Sequence, residues 1–206
     1  MPKVTEEHKK KRRREILDVA KKVFIKQGFQ ATTMSDIVSA SNMSRGGVYS
    51  YFSTTDEMYK AIIAENDQSF EAYFQNLMQM KSYWNALLIY LDDLERSAYD
   101  DVREGFGIVA YEYLVMTWRE KERIQFFKDR VDQYIKLFAG LIESGVKREE
   151  FHPVQSSEAI ALMIINTNDA VYLLSMTVGA DKARVKDQVK SLKIYLRYVL
   201  QVKHIE

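Results

Sequence analysis

The sequence predicts an all-α protein: a small three-helix N-terminal head domain with a helix-turn-helix, followed by a larger antiparallel helical domain. Three observations carry this. With two prolines and eight glycines in 206 residues, few positions break a helix. Apolar residues recur at three- and four-residue steps along most of the chain. Residues 33–52, Thr-Met-Ser-Asp-Ile-Val-Ser-Ala-Ser-Asn-Met-Ser-Arg-Gly-Gly-Val-Tyr-Ser-Tyr-Phe, read as two short helices joined by a tight turn. The second helix of such a pair is shaped to enter the DNA major groove.

The first helix comes before that motif. Ile16, Leu17, Ala20, Val23 and Phe24 form its inward stripe, and Gly28 closes it with Phe29 just beyond. Ahead of the stripe runs Lys9-Lys10-Lys11-Arg12-Arg13-Arg14. Residues 1–60 hold 12 Lys and Arg against 7 Asp and Glu, a balance of +5; residues 61–206 hold 18 against 22, a balance of −4. The near-neutral total hides a basic end, which suits a polyanionic partner. Within the motif, Thr33 caps the second helix, with Ile37 and Val38 facing inward and Ala40 keeping it thin where the next helix crosses. Asn42 tolerates the left-handed turn. Met43 plugs the small core, Ser44 caps the third helix, and Val48 and Phe52 turn inward. Arg45, Gly46, Gly47, Tyr49 and Ser50 are left outward; Thr33 and Ser44 read equally as caps alone, and Tyr51 as core.

Taken together, Ala20, Phe24, Gly28-Phe29, Thr32-Thr33, Ile37, Ser44-Arg45-Gly46, Val48-Tyr49-Ser50-Tyr51-Phe52 and Asp56-Glu57-Met58 resemble the DNA-binding end of TetR/AcrR-type regulators. The resemblance covers roughly a quarter of the chain, residues 15–62. Asn42 stands where the family usually has Gly, and Thr55 where it often has Lys. The resemblance implies that Thr33, Tyr49 and Thr55 hold phosphates, and that Arg45, Gly46, Gly47, Ser35 and Ser50 lie near base edges. The chemistry agrees: Arg is the commonest bidentate reader of guanine, and amides at a helix start, as at Ser44, are natural phosphate partners. Arg12, Arg13 and Arg14 add phosphate contacts from the basic arm. Residues 1–54 are thus expected to bind double-stranded DNA at an inverted-repeat operator.

Residues 55–206 are expected to bind an effector and to dimerise. Their helices are predicted as Thr55 to about Met80, one through Trp84, Leu87, Leu88 and Leu91, Phe106 to Trp118, Lys121 to Ser144 stopping at Gly145, Ser156 to Val178 ending at Gly179, and a last from Asp181. Thr55 caps the first of these. In the final two helices Ile164, Val171, Leu174, Val189, Leu192, Leu196 and Val199 form apolar stripes suited to a four-helix bundle with a second copy. A homodimer reads two half-sites about 34 Å apart, and the family resemblance implies the same dimer; the other reading is one ordinary monomeric core. The middle helices are rich in large flat side chains, which suit an apolar pocket with few polar anchors. Trp84, Phe106, Tyr111, Glu112, Met116, Asn166 and Asp169 are its candidate lining, for a small cationic or amphipathic effector; the same aromatics also suit plain core.

Other classes find little support. There is no cysteine, hence no disulfide framework or thiolate site. His8, His152 and His204 lack ligand spacing, so neither a metal nor another cofactor is expected. Asp92-Asp93, Asp100-Asp101 and Glu149-Glu150 read as solvated charge, which leaves an enzyme without machinery. The start of the chain does not read as a signal peptide, and the apolar run Ala159–Ile165 is too short to span a bilayer. A cytoplasmic, ligand-responsive repressor is the resulting expectation, with an architectural or ligand-independent DNA binder as its rival.

Overall fold

A computed structural model describes residues 5–100, 105–118 and 120–202; Asp101, His204 and the first four residues lie outside them. The described residues form α1 (Glu6–Gln27), α2 (Met34–Ser41), α3 (Arg45–Tyr49), α4 (Thr55–Met78), α5 (Tyr83–Tyr99), α6 (Gly107–Thr117), α7 (Lys121–Lys147), α8 (Ser157–Val178) and α9 (Val185–Val199), with no strand among them. Two compact units result. Unit one takes residues 1–70 and 104–115; unit two takes residues 71–103 and 116–206. Packing therefore groups residues 55–70 of α4 and most of α6 with the head, unlike a division at residue 54.

Unit one is built on α1. Thr5 caps it, and Glu6 and Glu7 occupy its positive first turn. The basic run Lys9–Arg14 is thus the first half of a helix and not an extended arm. Ile16, Leu17, Ala20 and Phe24 are buried, and Gly28 ends the helix at φ +83°. A second aromatic layer sits against it: Phe106 lies edge-on to Phe24 and stacks on Tyr59, and Tyr113 stacks on Tyr59 with ring centroids 3.7 Å apart.

Unit two packs α5, α7, α8 and α9 around Leu87, Leu91, Phe138, Ile142, Ile164, Val171, Leu192 and Leu196, all buried. The helix expected to stop at Gly145 runs on to Lys147. Gly145 is a packing glycine, since a Cβ there would overlap the fully buried ring of Phe151. The last helix begins at Val185, four residues later than expected, because Arg184 adopts the left-handed conformation at φ +53°. Glu150, expected to be solvated, is buried: it accepts from the Ser82 hydroxyl and from the backbone N–H of Tyr83 and Trp84, and so satisfies the free amides at the start of α5. Asp92 and Asp93 are also engaged, Asp92 with Lys193 and Asp93 with Arg96 and the Tyr73 hydroxyl.

Helix α8 contains the run Ala159–Ile165 and has the extent expected for it, Ser156 to Val178, to within a residue. By length and composition it is able to cross a membrane, with a third of its most apolar stretch buried in the chain. Leu162, Met163, Leu173, Leu174 and Val178 form its exposed remainder.

Candidate nucleic-acid interface

The turn between α2 and α3 is built from three local devices. Thr33 accepts from the Asp36 N–H, while the Asp36 carboxylate accepts from the Thr33 N–H at 2.8 Å and from its hydroxyl at 2.7 Å, a closed capping box. These bonds, the Thr33 hydroxyl's first, hold the Asp36 carboxyl below its usual range. Asn42 takes the left-handed conformation at φ +54° and turns the chain. Ser44 then caps α3 by accepting from Gly47 N–H at 3.1 Å.

This geometry gives α3 two sides. Val48 is fully buried with Phe52 beside it, while Arg45, Gly46, Tyr49 and Ser50 are exposed and Gly47 is half-buried. Arg45 rests over the Tyr49 ring at 5.2 Å, which holds an always-charged fork at the surface. The Ser50 hydroxyl donates back to the Gly47 carbonyl, so its acceptor side is what faces out. Thr33, Ser35 and Ser44 are exposed as well. Tyr51 is half-buried. Ala40 is exposed, so it does not thin a crossing; Val38 is only partly covered, and Ile37 alone on that helix is deeply buried.

Thr55 is half-buried at the start of α4, but its neighbour is the cap: Thr54 accepts from Glu57 N–H, and the Glu57 carboxylate accepts from Ser53 N–H at 2.7 Å. The pattern Thr-x-x-Glu was legible at residues 54–57 and places the cap one residue earlier than expected. In α1 the three arginines differ. Arg13 pairs with Glu65 and lies over the Phe52 ring, Arg12 pairs with Glu15, and Arg14 stays exposed with Lys10 and Lys11.

The expected effector-pocket residues separate. Phe106, Tyr111 and Glu112 belong to unit one; Trp84, Met116, Asn166 and Asp169 belong to unit two. Phe106 is buried aromatic core, and Glu112 is taken up by backbone amides of the α1–α2 turn. In unit two Trp84 and Met116 are half-buried, while Asn166 and Asp169 lie on the surface. A concavity of about 730 Å³ opens between α8 and α9, lined by Met163, Thr167, Arg184, Gln188 and Tyr195 among others. None of the seven expected residues lines it.

The expected dimer residues also read differently in three dimensions. Ile164, Val171, Val189, Leu192, Leu196 and Val199 are buried in the chain's own core, so they have no surface left for a second copy. Leu174 alone of that set is exposed. A helix with apolar residues on two sides gives one side to its own chain first, and the sequence pattern does not label which.

A capped helix, a left-handed turn and a short second helix bare on its outer side define a helix-turn-helix of the DNA-reading kind. Comparison with known proteins agrees. The profile described as "Bacterial regulatory proteins, tetR family" matches residues 16–62, and "Tetracyclin repressor-like, C-terminal domain" matches residues 86–186. The chain is 40% identical over 200 residues to the uncharacterized HTH-type transcriptional regulator YfiR of Bacillus subtilis (strain 168), covering 97% of each. It is 36% identical over 72 residues to the HTH-type transcriptional repressor Rv1474c of Mycobacterium tuberculosis, covering 35% of this chain and 38% of that one. Among solved structures, Salmonella enterica GusR shares the fold with a TM-score of 0.78 at 21% identity, over 96% of this chain and 98% of that one. The chain belongs to the TetR family of DNA-binding transcriptional regulators.

Proposed function

We propose that this chain is a homodimeric repressor that places residues 44–51 of each subunit in the major groove of an inverted-repeat operator and leaves it when a small molecule binds. The observation that carries the reading is the two-sidedness of α3: Val48 anchors it, and Arg45, Gly46, Tyr49 and Ser50 stand exposed. Arg45 is the base reader, and Thr33, Tyr49 and the amides after Ser44 hold phosphates. Exposed Lys10, Lys11 and Arg14 add long-range attraction. In this reading residues 1–54 recognise DNA and residues 55–206 pair and sense. A DNA reader works where the chromosome is, hence in the cytoplasm.

Pairing is supported by the apolar surface that α8 and α9 leave uncovered. Ile194 is 62% exposed and Tyr198 77%, beside Leu162, Leu173 and Leu174. Sensing is assigned to unit two. There the buried Tyr90 phenol donates to Asn168 at 3.1 Å, and the Asn168 amide approaches Asp169 at 3.4 Å. Burial pushes the Tyr90 phenol up, so it stays a neutral donor. The Tyr90 ring meets Phe138 edge-on, and a neutral phenol, an amide and a surface carboxylate in this series suit an amphipathic or cationic effector. The repressor in the name of the M. tuberculosis relative supports the sign of regulation.

Selection of duplexes from a randomised pool with the purified chain tests the reading. An inverted repeat is expected, and Arg45→Ala is expected to relax one base position per half-site, at a cost of about 1–3 kcal/mol. Enrichment of no duplex at low ionic strength defeats the proposal.

A further inference from the structure

We propose that Glu112 is a positioning residue for DNA reading: its carboxylate, gripped by the backbone of the α1–α2 turn, sets where α2 begins and so how α3 is presented. The proposal rests on α3 being the reading helix.

Beyond the end of α1 the chain leaves two amides with no helical acceptor. Phe29 N–H donates to Glu112 Oε2 at 2.8 Å, and Gln30 N–H donates to Glu112 Oε1 at 3.0 Å. An ionised carboxylate accepts only, at two oxygens, and so matches two parallel donors better than any other side chain. Gly28 is required twice for this. Its φ of +83° is strained for other residues, and a Cβ there would lie 2.8 Å from Glu112 Oε2.

The turn beyond this grip is tightly bonded. Thr32 donates its hydroxyl to the Gly28 carbonyl at 2.6 Å and its N–H to the Phe29 carbonyl at 3.2 Å. One residue on, Thr33 closes the capping box with Asp36, and the Gln27 amide reaches both Asp36 and the Ala31 carbonyl. Hydrogen bonds thus run without a gap from Gly28 to the start of α2, and the outer anchor of the series is a side chain of α6. The next residue, Tyr113, supplies a second foothold. Its hydroxyl donates to Asp56 at 2.6 Å at the start of α4, and its ring stacks on Tyr59 and meets Phe29 edge-on. Tyr113 is buried and carries packing; Glu112 is half-exposed and carries direction. Loss of the carboxylate leaves the aromatic layer intact and frees the turn.

Glu112→Gln isolates the effect. Gln offers one acceptor oxygen and turns an NH₂ toward the other amide. The exchange of the Phe29 and Gln30 amides by NMR, the thermal midpoint, and affinity for a selected duplex against a random one at fixed salt are measured together. Expected are at least tenfold faster exchange at both amides and at least a fivefold loss of preference for the selected duplex. The salt slope is expected to hold, since no cation is removed. Glu112→Asp keeps the charge but is one methylene short of both donors; it is expected to behave like the Gln variant, and it serves in its place if that variant does not fold. Faster exchange with unchanged preference makes Glu112 a structural fastener only and overturns the proposal. Unchanged exchange overturns it too. Arg45→Ala, measured in parallel, separates the two layers: if it keeps the wild-type preference, the reading-helix assignment itself fails.

Discussion

Gly46 faces open space: a Cβ added there meets nothing within 4 Å. Nothing among the described residues therefore calls for glycine at the second position of α3. Ala is the better helix former by up to about 1 kcal/mol, so Gly46→Ala is expected to raise the thermal midpoint by a degree or two. The same methyl would stand on the exposed side, where the proposed duplex lies. Duplex affinity is expected to fall in the same variant, and a fluorescence-anisotropy titration beside a melting curve reads both. A more stable variant with undiminished binding would move Gly46 off the DNA. Gly47 makes a poorer probe, because its added Cβ would lie 3.1 Å from the Ser44 hydroxyl that caps the helix. Residue chemistry also explains why some sites were legible and others were not. Ser44 and Thr33 act on amides three residues away and Asn42 through its own backbone, so their roles are readable from spacing and residue type. Glu112 acts on amides more than eighty residues away, and Glu150 on amides more than sixty away. A lone acidic residue carries no mark of such a partner.

Elements show the same division. The boundaries of α8 match the expectation to within a residue, because Ser156 caps it and Gly179 ends it at φ +86°. The end of α7 does not, because glycine has two uses. At Gly179 it relieves backbone strain; at Gly145 it makes room for Phe151 inside a continuous helix. Gly145→Ala therefore sets about 1 kcal/mol of helix propensity against overpacking of about 1–3 kcal/mol. Since Phe151 is fully buried and its backbone N–H is held by the Gly145 carbonyl, the ring has little room to yield. Net destabilisation is expected, readable as a lower midpoint in urea with an unchanged slope. A gain in stability would mean that the ring swings aside.

At the scale of the whole molecule, α8 and α9 leave large apolar side chains uncovered. Stable protein interfaces cover about 800 Å² per partner, and a face with Leu162, Leu173, Leu174, Ile194 and Tyr198 has the composition for it. Light scattering at micromolar concentration is expected to give a dimer. The double variant Leu174→Glu, Tyr198→Glu is expected to give a folded monomer with weak duplex affinity, since one reading head loses its partner half-site. A wild-type monomer would remove the half-site argument, and a dimer that survives both charges would place the interface elsewhere.

The all-α class and the helix-turn-helix were determined by the sequence alone, because caps, turns and 3.6-residue periodicity are short-range and leave a local signature; the family followed from the resemblance carried by residues 15–62. Tertiary structure decided which apolar stripe each helix spends on its own core, that α6 packs with the DNA-binding head, and that Glu112 and Glu150 accept from backbone amides far along the chain. The reason is physical. A stripe records that a face avoids water, not what covers it, and a buried carboxylate is recognisable only beside the distant amides that make its burial tolerable.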